Sequence, residues 1–241
     1  MMELLRKKLK ESFQGVGFSF LYSDIGPTFY SRHGWKVFEH KEIQFNIENE
    51  NLNNITFDTT NIIPLSYTDI EQLTKYDCSL IGKEMDISPT KYKVVVLPTF
   101  ECFEWMFARN NFYAKIKNLK EPDIWGVKLT NGDDQVIGFV IWAYNFPEKV
   151  LQILRIRSPD TNATKLLIKK AKLYASHYNF KKVTAWNPNL KFFIETSIIE
   201  GGKLVERTKS LPSLAWYNNE NGLNESEDDL EWILNENYAW C

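Results

Sequence analysis

"IWGVKLTNGDDQVIGFVIWAYNFPEKVLQILRIRS", Ile124–Ser158, reads as three strands cut by two turns. Asn131–Gly132 between two alternating apolar runs is a hairpin signal, since both residue types accept the positive φ of a tight turn. "FPEK", Phe146–Lys149, makes the second break. The period then changes. Over "NATKLLIKKAKLYASHY", Ala163, Leu166, Leu167, Ala171, Tyr174, Ala175 and Tyr178 form one helical apolar stripe, with Lys165, Lys169 and Lys172 outside it. "KKVTAWN" returns to a strand, and "FFIETSIIEGGKLVE", "SLPSLAWYN" and "EDDLEWILNENYAWC" close the chain with a short helix and two strands. The acidic "NESEDD" reads as a solvated loop. Mixed sheets flanked by helices, an α/β (α+β) class, follow.

Outward from this block, Met2, Leu5, Leu9 and Phe13 recur at helical spacing among Arg6, Lys7, Lys8 and Lys10, so the chain opens on an amphipathic helix. "FSFLYS" reads as a buried strand, and "GPTFYSRHG" as a short helix with Pro27 in its first turn. "WKVFEHKEIQFNI" alternates like one further strand. An Asn-rich loop, "NIENENLNNITFDTTN", precedes a helix over "SYTDIEQLTKYDCSLIGKEM" with Ser or Thr near its cap. "LPTFECFEWMFARNNFYAKIKN" reads as a helix whose aromatics hold the two halves together. The order helix, strand, break, short helix, strand occurs twice, at residues 2–45 and 163–217.

The chain's 241 residues, 44% of them hydrophobic, can bury a core. A net charge of −2 without a basic stripe gives nucleic-acid binding no electrostatic source. No apolar run nears the roughly 20 residues that span a bilayer, so the expectation is a protein without membrane partners, in the cytoplasm. Three cysteines, Cys78, Cys102 and Cys241, fit neither a disulfide framework nor a zinc site, and no metal is expected.

Strands, helix, strand, helix and a closing pair of strands is the order of the GNAT acetyltransferase fold, which residues 123–241 resemble. The first copy looks like the back half of another. "Gly-x-x-Phe-Tyr-x-x-x-Gly-Trp", with Gly26, Phe29, Tyr30, Gly34 and Trp35, is similar to the GNAT pattern of a tyrosine-bearing short helix before Gly-aromatic. The resemblance implies acetyl-CoA as co-substrate and Tyr30 as the acid that protonates the departing thiolate. A phenol of pKa about 10 suits that role. Ser23, Asp24, Gly26 and Phe29 would line the coenzyme channel.

"LYSDIGPTFYSRHGW", "LPTFECFEWMFARNNFYA" and "LPSLAWYNNENG…LEWILNENYAWC" together resemble the fungal lysine N6-acetyltransferase family of lysine catabolism. The resemblance covers nearly the whole chain and implies free L-lysine, or another small amine, as acceptor.

A GNAT enzyme holds the pyrophosphate with an Arg/Gln-x-x-Gly-x-Gly/Ala loop at the start of its central helix. This chain begins inside that helix, so it is expected to be an N-terminally truncated form. Residues 1–48 would be the C-terminal half of a catalytic domain, 49–122 a connecting region, and 123–241 a GNAT-like domain without catalysis of its own. In the last, "SPDTNATKLL" has no glycine, and Ile194 stands opposite Tyr30.

Lysine needs a cation for its carboxylate and carboxylates for its amines. Arg109, Glu104 and Asp24 are the candidates. His33, His40 and His177 are scattered and make no triad. The alternative is a catalytically inactive GNAT-like binding or regulatory protein, with an open sheet edge through which it could form a homo-oligomer. Acetylation of protein lysines is a third reading.

Overall fold

The computed structural model describes residues 1–12, 17–47, 62–87, 92–187, 201–217 and 230–240. The Asn-rich stretch, "NESEDD", the expected short helix and Ile194 lie outside these residues.

Helix α1 (Met2–Ser12) leads through β1 (Phe18–Ser23) to α2 (Pro27–Ser31), β2 (Lys36–Val37) and β3 (Lys41–Asn46). Met2 and Leu9 of α1 pack against Trp35, but Leu5 is 46% exposed and does not join the expected stripe. β1 is half-buried, not buried, because Phe20 faces outward. The Gly34–Trp35 stop has a steric cause. Gly34 has φ +90°, a left-handed conformation strained for any residue with a Cβ. Trp35, 2% exposed, donates Nε1–H to Ser19 Oγ at 3.1 Å.

The single strand expected over "WKVFEHKEIQFNI" is two strands in two sheets. At Phe38–His40 the chain leaves one sheet for the other, and the break is held from outside. Phe38 N donates to Pro212 O at 2.9 Å, Arg207 N to His40 O at 2.8 Å, and Asn235 Nδ2 to Glu39 O at 3.2 Å.

Next come β4 (Ile62–Leu65), α3 (Tyr67–Ile87), β5 (Tyr92–Val94) and α4 (Phe100–Ile116). Asp69 in the first turn of α3 reaches back to Ser66, whose N–H and Oγ–H both donate to Asp69 Oδ2, at 2.9 and 2.5 Å. Phe103, Met106 and Phe107 carry α4 into the main core. The expected hairpins follow as β6 (Gly126–Thr130), β7 (Val136–Asn145) and β8 (Val150–Arg157), then α5 (Thr161–His177) and β9 (Lys182–Trp186). Phe139, Trp142 and Tyr144 of β7 are at most 1% exposed, each contributing about 1.5–3 kcal/mol of apolar burial. Lys172 departs from the expected outward lysines. It is fully buried, its ammonium 5.4 Å from the Phe45 ring centroid. β10 (Gly202–Glu206), β11 (Leu211–Trp216), β12 (Leu230–Trp232) and a 3-10 turn at Asn237–Ala239 end the described chain.

Seven strands form one sheet in the order β10-β3-β9-β8-β7-β6-β4, and three form another, β1-β11-β2. The two copies of the repeat therefore exchange their last strands. β3 lies between β9 and β10 of the second copy, and β11 lies between β1 and β2 of the first. Both insertions are antiparallel on both sides. In the larger sheet only β8 and β9 are parallel, joined by the α5 crossover.

A buried ion network ties α3, β8 and the C-terminal segment. Arg155 gives Nε and Nη2 to Asp77 at 2.8 and 3.2 Å and Nη1 to Glu236 at 2.9 Å, all three residues being at most 3% exposed. Burial pushes the Glu236 carboxyl up to about 7 against the pull of Arg155. Asp77 also accepts Arg157 Nε–H at 2.7 Å, so Arg155→Met leaves Glu236 without a cation and Asp77 with one, and is expected to cost about 3–5 kcal/mol in urea denaturation. The pH dependence has a definite sign. Glu236 titrates higher in the folded chain than its ordinary 4.5, so the stability it contributes is full below 4.5 and lost as pH rises through about 7. Glu236→Gln should remove that decline from a profile of melting temperature against pH.

Candidate functional site

Alternation along β3 sends Ile43 and Phe45 into the main core and Glu42 and Gln44 to the opposite face of the sheet. Cross-strand register continues that second face. Glu42 pairs with Trp186, Gln44 with Thr184, and Thr184 with Gln152. Such a face, central in a sheet, is ordinarily apolar. Here it floors a cleft of about 420 Å³ whose wall includes Glu42, Gln44, Arg109, Glu148, Trp186 and Arg207.

Both signs of charge are held in place. Glu42 accepts Trp186 Nε1–H at 2.9 Å and Gln44 Nε2–H at 2.6 Å, one on each carboxylate oxygen. Arg207 lies 3.6 Å from the Trp186 ring centroid, and its Nη1 donates to Ser210 O at 2.9 Å. The side chain is only 8% exposed, and Nε and Nη2 are buried with no hydrogen-bond partner among the described residues. Burial pulls this guanidinium down to about 10, with Glu42 opposing. At the other end Arg109 lies 5.6 and 5.8 Å from the Tyr113 and Trp240 rings.

Of the residues expected from the sequence, Asp24 and Arg109 line this cleft. Asp24 is already engaged, its Oδ1 accepting Ser210 N–H at 2.6 Å and Ser210 Oγ–H at 3.2 Å. Glu104 does not join Arg109. Five residues apart on α4, they point about 140° apart. Glu104 instead accepts the Tyr67 hydroxyl at 2.6 Å, which raises that phenol to about 12.

Ser23, Gly26, Phe29 and Tyr30 gather around α2. Ser23 Oγ accepts Ile25 N–H at 3.1 Å, and Gly26, at φ +95°, turns the chain into the helix. The Tyr30 ring stands edge-on to Phe29 and Trp35, at 5.0 and 6.5 Å, and packs beside Met2 and Leu9. Nearby, Glu3, Arg6, Lys7, Arg32 and His33 line a second cavity of about 470 Å³, where three permanent cations outnumber one carboxylate and favour an anionic ligand. Burial raises the Cys78 thiol, which disfavours a nucleophilic thiolate there. Glu42, Trp186 and Arg207 are site residues the sequence reading missed. The alternation of "KEIQFN" carried a signal for the first, since its polar face is Glu42 and Gln44.

The model of the family described as "LYC1 GNAT-like C-terminal domain" matches residues 45–241. The chain belongs to this GNAT family. A "Lysine acetyltransferase" of Yarrowia lipolytica is 22% identical over 92% of this chain and 63% of its own length, so the chain spans less than two thirds of that relative. Among solved structures, a probable N-acyltransferase of unknown function from Enterococcus faecalis is 15% identical with a TM-score of 0.53, over 90% of this chain and 48% of that one. A GCN5-related N-acetyltransferase from Anabaena variabilis is 11% identical with a TM-score of 0.51, over 90% and 49%. The GNAT fold is shared with both. GNAT acetyltransferases use acetyl-CoA. Among the described residues no helix is long and apolar enough to cross a membrane.

In the larger sheet, parallel β8 and β9 pair only over Val150–Ile153 and Lys182–Ala185. The crevice at the carboxyl ends of parallel strands is where open α/β sheets receive ligands. Here the C-terminal segment fills it. Glu236 meets Arg155 of β8, and Asn235 O accepts Asn187 Nδ2–H at 2.6 Å. The start of α5 is taken as well, since Asp160 Oδ1 accepts Ala163 N–H at 2.8 Å and puts a carboxylate where an anion would sit. Asp160→Ala should cost about 1 kcal/mol of stability in thermal unfolding. Coenzyme A binding, followed by calorimetry, should not change.

Proposed function

We propose that the chain serves acetyl transfer from acetyl-CoA to the side-chain amine of L-lysine, in the cytoplasm and in lysine catabolism. The observation that carries this reading is the mixed-charge cleft. A zwitterionic amino acid with a second amine needs cations and carboxylates within one small space, and Arg207, Arg109, Glu42 and Glu148 line one cleft of about 420 Å³. The Yarrowia relative's name, "Lysine acetyltransferase", supports a lysine side chain as acceptor.

In this reading the neutral amine attacks the thioester carbonyl carbon, a C–N bond forms and the C–S bond breaks. The amine's proton passes to solvent water, the departing thiolate takes one from the Tyr30 hydroxyl, and solvent reprotonates the phenolate. Arg6, Lys7 and Arg32 would face the phosphates of the coenzyme near α2. Residues 1–48 then carry the catalytic element, 49–122 connect, and 123–241 bind and buttress without transfer of their own. The filled crevice and the capped α5 support that division.

A binding protein without transfer is the second reading, favoured by the position of Tyr30 outside the mixed-charge cleft. One experiment separates the two. The chain is incubated with acetyl-CoA and L-lysine, and N6-acetyllysine is measured by mass spectrometry. Product should fall about 10- to 100-fold in Tyr30→Phe at neutral pH. An unchanged rate removes Tyr30 as the acid, and no product from either protein favours the second reading.

A further inference from the structure

We propose that Arg207 is the carboxylate anchor of the cleft, holding the acid group of a free amino acid side-on while Glu42 receives its ammonium. This rests on the amino-acid acceptor reading and narrows it. A lysine inside a protein has its carboxyl group tied up in a peptide bond and cannot satisfy such an anchor.

The chain contains its own standard of comparison. Arg155 presents Nε and Nη2 side-on to both oxygens of Asp77. Arg207 has the same two atoms buried and without a partner among the described residues, in a side chain more than nine-tenths buried. The rest of its guanidinium is fixed, by the Trp186 ring on one face and Ser210 O at Nη1. A fixed fork whose bidentate side lacks a hydrogen-bond partner matches a carboxylate in shape and charge. A buried, unpartnered guanidinium is costly, so its retention calls for a partner.

Glu42 does not fill that vacancy. Its oxygens are engaged by Trp186 and Gln44, and each keeps a lone pair that an ammonium can use. Arg207 and Glu42 line the same cleft beside the same indole, so the pair recognises a carboxylate next to an ammonium. Nε and Nη2 are covered in the empty chain, so a neighbouring side chain of the cleft wall must move aside when a carboxylate binds.

The test is isothermal titration calorimetry of the chain with L-lysine, L-lysinamide and glutarate, without acetyl-CoA. L-Lysine should bind at least about tenfold more tightly than L-lysinamide. Arg207→Gln should abolish that preference, and Arg207→Lys should keep part of it. Thermal unfolding shows whether each variant is folded. If Arg207→Gln is not, Arg207→Lys and the wild-type comparison decide.

Equal affinity for lysine and lysinamide, a preference that survives in folded Arg207→Gln, or no binding of lysine and glutarate alike overturns the anchor. Arg207-dependent binding of glutarate without lysine supports the anchor and overturns lysine as acceptor. Since no transfer is measured, an inactive chain would still test Arg207.

Discussion

The exchange of last strands between the two copies of the repeat is the constraint on which everything else rests. Without β11 between them, β1 and β2 would not form a sheet, because they pair with β11 and not with each other. Without β3 the larger sheet would lose the strand that joins β10 to β9. Strand pairing of this kind satisfies backbone groups that would otherwise be open edges. It also places functional side chains. Glu42 and Gln44 reach Trp186 and Thr184 only because a first-half strand crosses into the second-half sheet. A hydroxyl relay marks the reverse crossing, with Ser19 of β1 between Trp35 and Tyr217 at 3.1 and 2.5 Å.

Charge is buried twice in this fold, with opposite outcomes. Around Arg155 the fork is filled, and the network fastens α3 and the C-terminal segment to β8. The desolvation penalty there is offset by paired partners. Around Arg207 the same chemistry stops short, with an aromatic face and one carbonyl supplied and no carboxylate. The Arg155 fork has its carboxylate, whereas the bidentate side of the Arg207 fork has no partner among the described residues.

Much of the fold was legible because its signals are local. The Asn131–Gly132 turn, the α5 stripe and the Ser66-x-x-Asp69 cap each announce themselves within a few residues. The elements that escaped depend on distant partners. β4 is four residues long with Pro64 inside it, tolerated because it sits at a sheet edge. β5 and β12 are three residues each and exist by pairing with one another. The break at Phe38–His40 is set by Pro212, Arg207 and Asn235, none of them near in sequence. Lys172 looked like one more surface lysine, and only the Phe45 ring beneath it reveals a buried one. The site was legible to the same degree. Asp24 and Arg109 reach the cleft, whereas the role of Arg207 depends on Trp186, Ser210 and Glu42, drawn from three separate strands or turns.

An unpaired buried guanidinium bears on stability as well as recognition. A cation–π contact with a desolvated indole is worth roughly 2 kcal/mol or more and offsets only part of the several kcal/mol that burying an ion costs. The shortfall raises the free energy of the empty chain and is returned when an anion fills the fork. Binding at Arg207 is therefore linked to folding, since a ligand that binds only the folded chain stabilises it by mass action. The link reaches both copies of the repeat. Ser210, which holds Nη1 of Arg207, is itself held by Asp24 at the end of β1. β1 leads within a few residues into α2, the helix that carries Tyr30. One short path of hydrogen bonds thus joins the anion anchor to the segment that carries the proposed acid, across the seam made by the exchanged strands.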